Sequence, residues 1–122
     1  MGNPYHCVQA ARQGQCLFLT CEAILEELRE KLRLKRDLSA SKAAEITDEI
    51  CAFSKIVSPP GTLKVISADP DDDAILECAV VGQATHLVSG DRHLLALEKY
   101  QNIQIVQAAA FLKLLQAGSK YR

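Results

Sequence analysis

Apolar residues recur along this chain in two alternating patterns, and the alternation outlines a fold. Residues 16–20, Cys-Leu-Phe-Leu-Thr, are a short, mostly apolar run after a turn signal at Gly14, which suits a strand covered on both faces. Over residues 21–34 the apolar positions Ile24, Leu25, Leu28 and Leu32 fall at helical spacing with charge filling the rest, so a helix with one buried stripe is predicted. Ahead of both, a shorter helix is predicted over residues 4–12, opened by Pro4 and stopped at Gly14. Ser39 and Ser41 can cap a further helix, with Ala43, Ile46, Ile50 and Phe53 as its inward stripe, until Pro59-Pro60-Gly61 ends it.

The second half repeats the alternation. Residues 63–66 are the next strand candidate, and Asp69-Pro70 opens a helix with Ile75, Leu76, Ala79 and Val80 inward, ending at Gly82. Residues 86–88 form a strand that leads through Ser89-Gly90 to a helix over residues 91–97. A last strand is predicted at 103–106 and a last helix at 108–115, before a polar tail over 118–122. Strands that are apolar throughout and alternate with helices imply an α/β fold with a parallel sheet sandwiched by helices. No internal repeat or linker interrupts the pattern, so residues 1–117 are read as one domain.

The composition agrees: 122 residues suit one compact domain, and 48% hydrophobic with 24% charged residues argues against wholesale disorder. No apolar stretch approaches the roughly 20 residues that span a bilayer, and the first ten residues lack a basic region followed by an apolar core. Neither export nor a membrane is expected, and a cytoplasmic location is. Fourteen Lys and Arg against 15 Asp and Glu leave a net charge of -1, so any nucleic-acid binding must be local. The five cysteines, Cys7, Cys16, Cys21, Cys51 and Cys78, are odd in number and none shows the two-residue spacing of a zinc knuckle. Lying in largely apolar stretches, they read as buried free thiols in a reducing compartment, with neither disulfide nor zinc.

In open parallel sheets the functional crevice lies beyond the carboxyl ends of the strands. There this chain is acidic: Glu22, Glu26 and Glu27 follow the first strand, Asp69, Asp71, Asp72 and Asp73 the second, and Asp91 the third. Carboxylates gathered at one rim repel one another, and a divalent cation neutralises them. Oxygen ligands favour Mg²⁺ or Mn²⁺ over zinc, and such an ion can activate water and stabilise charge developing on a phosphodiester. The ordinary alternatives are helix capping and dipole complementation, worth about 0.3–1 kcal/mol each. They cover Asp91 alone, one or two of the 69–73 group, and Glu26 and Glu27 as solvated helix charges, but not four aspartates in five residues.

Three strings carry a resemblance: Ala-Ile-Leu-Glu-Glu-Leu at 23–28, Asp-Pro-Asp-Asp-Asp-Ala-Ile-Leu-Glu-Cys-Ala at 69–79, and His-Leu-Val-Ser-Gly-Asp-Arg-His-Leu-Leu at 86–95. In this order and spacing the chain resembles PIN domains over about residues 3–115, in particular the bacterial group described as toxin components of toxin–antitoxin systems. The resemblance implies a three-layer α/β/α fold and a Mg²⁺- or Mn²⁺-dependent ribonuclease in which three or four carboxylates bind metal and activate water. By position it assigns Glu27, Asp72 and Asp91 to that metal-binding and catalytic site, with Asp69 and Ser89 in support. Ser89 stands where the family usually has Thr. His93 stands where an Asp is common, and reads as a surface or capping residue.

PIN domains normally begin with an apolar strand ending in Asp-Thr-Asn or a similar triplet, whose Asp is a principal metal ligand. Here residues 3–7 match the helix that follows it. The resemblance thus implies a domain truncated at its N-terminus, without its central first strand, and with weakened metal binding. Strands sit about 4.8 Å apart, so an empty central slot would expose two unpaired edges. The sheet must close up, borrow a strand from a second copy or be completed by another polypeptide, and a homodimer by exchange or edge pairing is expected.

Arg29, Lys31, Arg33, Lys35 and Arg36 form the one basic concentration. It reads as an RNA phosphate-tracking surface or as cations complementing a helix C-terminus. With no Trp and six aromatic residues, no stacking platform is evident. Two functions remain: a metal-dependent endoribonuclease, and a catalytically inactive module that binds RNA or an antitoxin peptide. A phosphoacceptor receiver domain also gathers acids at strand ends, but needs a Lys after its last strand, where this chain has Gln107-Ala108-Ala109-Ala110.

Overall fold

The structure, a computed structural model, describes residues 3–66 and 70–119. The elements run α1 (Asn3–Arg12), β1 (Phe18–Thr20), α2 (Glu22–Lys35), α3 (Ala40–Ala52), β2 (Ser54–Ile56), α4 (Pro70–Val81), β3 (His86–Val88), α5 (Arg92–Leu97), β4 (Lys99–Tyr100), β5 (Ile103–Val106) and α6 (Ala108–Ser119). The α/β class read from the sequence is the class observed. Local signals explain several boundaries. Gly14 takes a φ of +79° just past α1, where a residue without Cβ is unstrained. The Ser39 hydroxyl accepts the Lys42 N–H at 3.1 Å and so caps α3.

The strands form two sheets. β1 pairs in parallel with β2, Leu19 opposite Lys55. β5 is the middle strand of the other sheet, parallel to β3 and antiparallel to β4. Among the described residues no strand ladder joins the two sheets. Helix α4 packs on both, against β1 in one and β3 in the other. Its approach to β1 is close: a Cβ on the buried Gly82, just past α4, would stand 2.7 Å from a Leu19 methyl. The main apolar core belongs to the larger sheet and gathers Ile66, Leu76, Ala79, Leu87, Leu94, Ile103 and Ile105.

Several elements differ from the sequence expectation. Helix α3 stops at Ala52 instead of continuing to Pro59. Phe53 packs edge-on against Phe18 beneath the Arg12 guanidinium, and the Ser54 hydroxyl donates to the Ile50 carbonyl at 2.6 Å. Chain leaving the helix there can pair with β1, and the ladder is extended by the Val57 N–H on the Thr20 carbonyl. The sheet expected to be parallel throughout has one antiparallel strand, β4. Helix α6 runs to Ser119, into the segment read as a polar tail. All five cysteines are free, but only Cys7, Cys21 and Cys78 are buried; Cys16 and Cys51 are half-buried. Burial and the neighbouring Cys21 push the Cys78 thiol up to about 12.

Residues 63–66, expected as a strand, belong to neither sheet. The amides of Leu63, Val65 and Ile66, with those of Gly61 and Thr62 before them, are taken up by carboxylates of α4. Glu77 accepts the N–H groups of Gly61 at 2.7 Å, Thr62 at 3.0 Å and Leu63 at 2.9 Å. Asp73 accepts those of Val65 at 2.9 Å and Ile66 at 2.7 Å. Because residues four apart share a helix face, Asp73 and Glu77 act as two rungs, one turn apart, along which the segment runs antiparallel to α4. Buried amides need partners, and here side chains supply what a neighbouring strand would.

Glu77 shows the balance of forces. Burial pushes its pKa up, but the amides of Leu63, Gly61 and Thr62 outweigh that and hold the carboxyl below the ordinary glutamate range. A depressed folded-state pKa contributes stability that is present above the unfolded value of about 4.3 and lost as pH falls through the folded value. Glu77→Gln is therefore expected to be less stable than the parent at pH 7 and to lose stability less steeply between pH 5 and pH 2. Urea denaturation midpoints across that range measure both, and parallel pH profiles for the two proteins would contradict the assignment.

Candidate metal centre

Two elements meet at the candidate site. Helix α4 places Asp72 in its first turn, 5% exposed. The loop after β3 delivers Asp91, which caps the N-terminus of α5: its Oδ1 accepts the His93 N–H at 2.8 Å and the Leu94 N–H at 3.2 Å. Ser89 shapes that loop by accepting the Asp91 N–H at 3.0 Å. Core packing fixes the two elements relative to each other, because Leu76 of α4 and Leu94 of α5 are both fully buried in the apolar cluster.

Asp72, Asp91 and His93 each present a ligand atom here, and the three atoms lie within 4.8 Å of one another. His93 Nδ1 is 3.6 Å from Asp72 Oδ2 and 3.7 Å from Asp91 Oδ1. The nitrogen is buried and makes no hydrogen bond among the described residues. The Asp91 carboxyl lies below the ordinary aspartate range, held there chiefly by the Leu94 amide against the opposing effect of burial. The His93 amide, a hydrogen bond with Asp72 and the His93 charge add to the lowering. Asp91 is thus an anion at neutral pH, aimed by its cap.

A divalent cation fits this donor set: two carboxyl groups from separate elements and a buried ring nitrogen with no hydrogen bond among the described residues. Asp72, Asp91 and His93 are the residues that could hold it.

The other sequence candidates lie elsewhere. Glu27, on α2, pairs with Lys31 one turn on at 3.1 Å and is half exposed. It is not among the three residues whose ligand atoms converge. Asp69 lies outside the described residues. Asp71 is exposed, and Asp73 faces the 65–66 amides. Among the basic residues, Arg29 is engaged by Glu22 and by the Thr47 hydroxyl, and Lys31 by Glu27. Arg33, Lys35 and Arg36 are exposed and make no ion pair among the described residues. A groove of about 730 Å³ beside them, between α2 and α3, mixes Arg29 and Arg33 with Glu26, Glu30 and Asp37.

His93 is the residue that sequence reasoning placed outside the site. A usable signal was present: a side chain two residues after an N-cap tilts back over the helix start, so a histidine there neighbours the capping carboxylate.

Comparison with known families gives the class. A family model described as PIN domain matches residues 1–93 of the 122. The chain belongs to the PIN domain family, whose fold is that of nucleases. No curated protein and no solved structure matches it. No helix among the described residues is long and apolar enough to cross a membrane.

The capping role of Asp91 can be tested apart from its charge. Serine caps helices about as well as aspartate, and alanine does not. Asp91→Ser is expected to melt close to the parent protein in circular dichroism, and Asp91→Ala several degrees lower. Equal losses in both variants would show that the carboxylate, not the cap, carries the local stability.

Proposed function

We propose that this chain is a PIN-type, metal-dependent endoribonuclease that hydrolyses RNA phosphodiester bonds, as the toxin component of a toxin–antitoxin system. The observation that carries the proposal is the convergence of Asp72 and Asp91, from α4 and from the loop after β3, in a chain of this family. Asp72 and Asp91 would hold the ion, Mg²⁺ or Mn²⁺. When bound, a divalent cation supplies Lewis acidity toward a phosphate oxygen and lowers the pKa of water. The protein's part is preparation. Asp91 is kept ionised and aimed by the α5 amides, Ser89 fixes the loop that carries it, and the first turn of α4 presents the buried Asp72 carboxyl beside it. Arg33, Lys35 and Arg36 would track the RNA backbone by charge, and Asp69 would support the site from the chain just ahead of α4.

The toxin assignment is supported by the strings at 23–28, 69–79 and 86–95, and it implies an antitoxin polypeptide as inhibitor. The outer edges of β1 and β3, which carry no strand ladder among the described residues, favour a homodimer in which a second copy pairs with them. Light scattering is expected to return twice the 13.4 kDa chain mass, and a strictly monomeric species would remove the dimer.

A second reading is favoured by one feature. Glu27 is neutralised by Lys31 outside the cluster, so the ion would have two carboxylates, and affinity falls as ligand charge is lost. On that reading the protein binds RNA or an antitoxin peptide without cleaving. Cleavage of a single-stranded RNA in Mn²⁺ decides between them. The parent is expected to cleave and Asp72→Asn to lose more than the about 10–100-fold typical of outer-shell partners. Cleavage that survives the substitution sinks the nuclease reading, and RNA binding without cleavage by the parent favours the module.

A further inference from the structure

We infer that His93 is itself a metal ligand through Nδ1, and that it turns the site from one suited to Mg²⁺ into one selective for nitrogen-preferring divalent transition ions. The inference rests on the reading above that Asp72 and Asp91 hold an ion.

Three observations converge on it. The first is distance. A charge-assisted N–H···O bond between imidazolium and carboxylate closes to about 2.7–2.9 Å, whereas Nδ1 stays 3.6 Å from Asp72 Oδ2 and 3.7 Å from Asp91 Oδ1. Two donors on one ion at about 2.1 Å each stand roughly 3.0 Å apart at a right angle and roughly 3.4 Å apart at the tetrahedral angle. The observed separations match donors spread around an ion better than donors bonded to each other. The second is the state of the nitrogen: Nδ1 is buried and has no hydrogen-bond partner among the described residues, although buried polar atoms are normally satisfied. The third is the backbone. The His93 N–H bonds to Asp91 Oδ1, so the residue that caps α5 also sets where the imidazole starts, and the ring is held beside the carboxylates by the helix itself.

The chemical consequence follows from donor type. Mg²⁺ demands hard oxygen ligands in near-octahedral geometry and sheds water reluctantly. Imidazole suits iron, nickel, copper and zinc, and the affinity of a nitrogen-bearing site rises from Mn²⁺ through Co²⁺ to Ni²⁺. A site of two carboxylates and one imidazole therefore binds Mg²⁺ poorly, Mn²⁺ better, and Co²⁺ or Ni²⁺ better still. Coordination through Nδ1 places the ring proton on Nε2.

The test is calorimetric titration of the full chain, parent and His93→Asp, with Mg²⁺, Mn²⁺ and Co²⁺ separately. The parent is expected to prefer Co²⁺ to Mg²⁺, and His93→Asp to shrink that preference about tenfold or more while improving Mg²⁺ binding. His93 is half-exposed, so the variant should fold; a second readout needs no variant at all. Electron spin-echo spectroscopy of the Mn²⁺-loaded parent should show nitrogen coupling that vanishes in His93→Asp. A Co²⁺-to-Mg²⁺ affinity ratio that is the same in both proteins, with no nitrogen coupling, overturns the inference and leaves the carboxylate site standing. A uniform gain for every ion in His93→Asp would mark the imidazole as an internal counterion and overturn it too. No binding of any ion by the parent removes both the inference and the metal-dependent reading beneath it.

Discussion

The structure depends on how helix α4 disposes of three buried carboxylates. Asp72, Asp73 and Glu77 are 5%, 8% and 5% exposed, and a charge taken out of water must be matched by donors or a cation. Helical geometry sorts them. Asp73 and Glu77, four apart, share a face and absorb five backbone amides of residues 61–66. Asp72, one position earlier in the helix, turns toward the start of α5. One helix thus fastens the connection that leads into it, seats Ile66 and Leu76 in the core, and contributes one side of the candidate metal centre. The fold and the site share their electrostatics as well as their scaffold.

The same sorting explains what could be read from the sequence. Alternation of apolar runs and amphipathic stretches was enough for the α/β class and for most helices, because both signals are local. The strand candidate at 63–66 misled because periodicity reports burial, not the partner that satisfies the backbone. An extended apolar run next to a sheet and one clamped by side-chain carboxylates look identical in sequence. Strand β2 was hidden for a related reason: Ser54-Lys55-Ile56 is too short and polar to register, and forms by pairing with β1. In the site, Asp72 and Asp91 stood out because each follows an apolar run at a helix start. His93 did not, since a lone polar side chain in a first turn most often faces water.

The acidic rim also shows why counting charges overstates a binding site. Of the acids that follow the strands in sequence, Glu22 is taken by Arg29 and Glu27 by Lys31, while Asp73 is committed to amides. A carboxylate already bonded to fixed N–H groups on both approach directions has little capacity left for a cation. Asp91 is the instructive intermediate: its Oδ1 accepts two amides, which lowers its pKa and fixes its direction, yet it still neighbours Asp72 and His93. The amides neutralise part of its charge without occupying every lone pair, so capping and ion binding are compatible in one residue. What remains of a broad acidic rim is therefore a compact set of two carboxylates and one ring nitrogen. Its metal preference would be governed less by total negative charge than by the identity of the third donor.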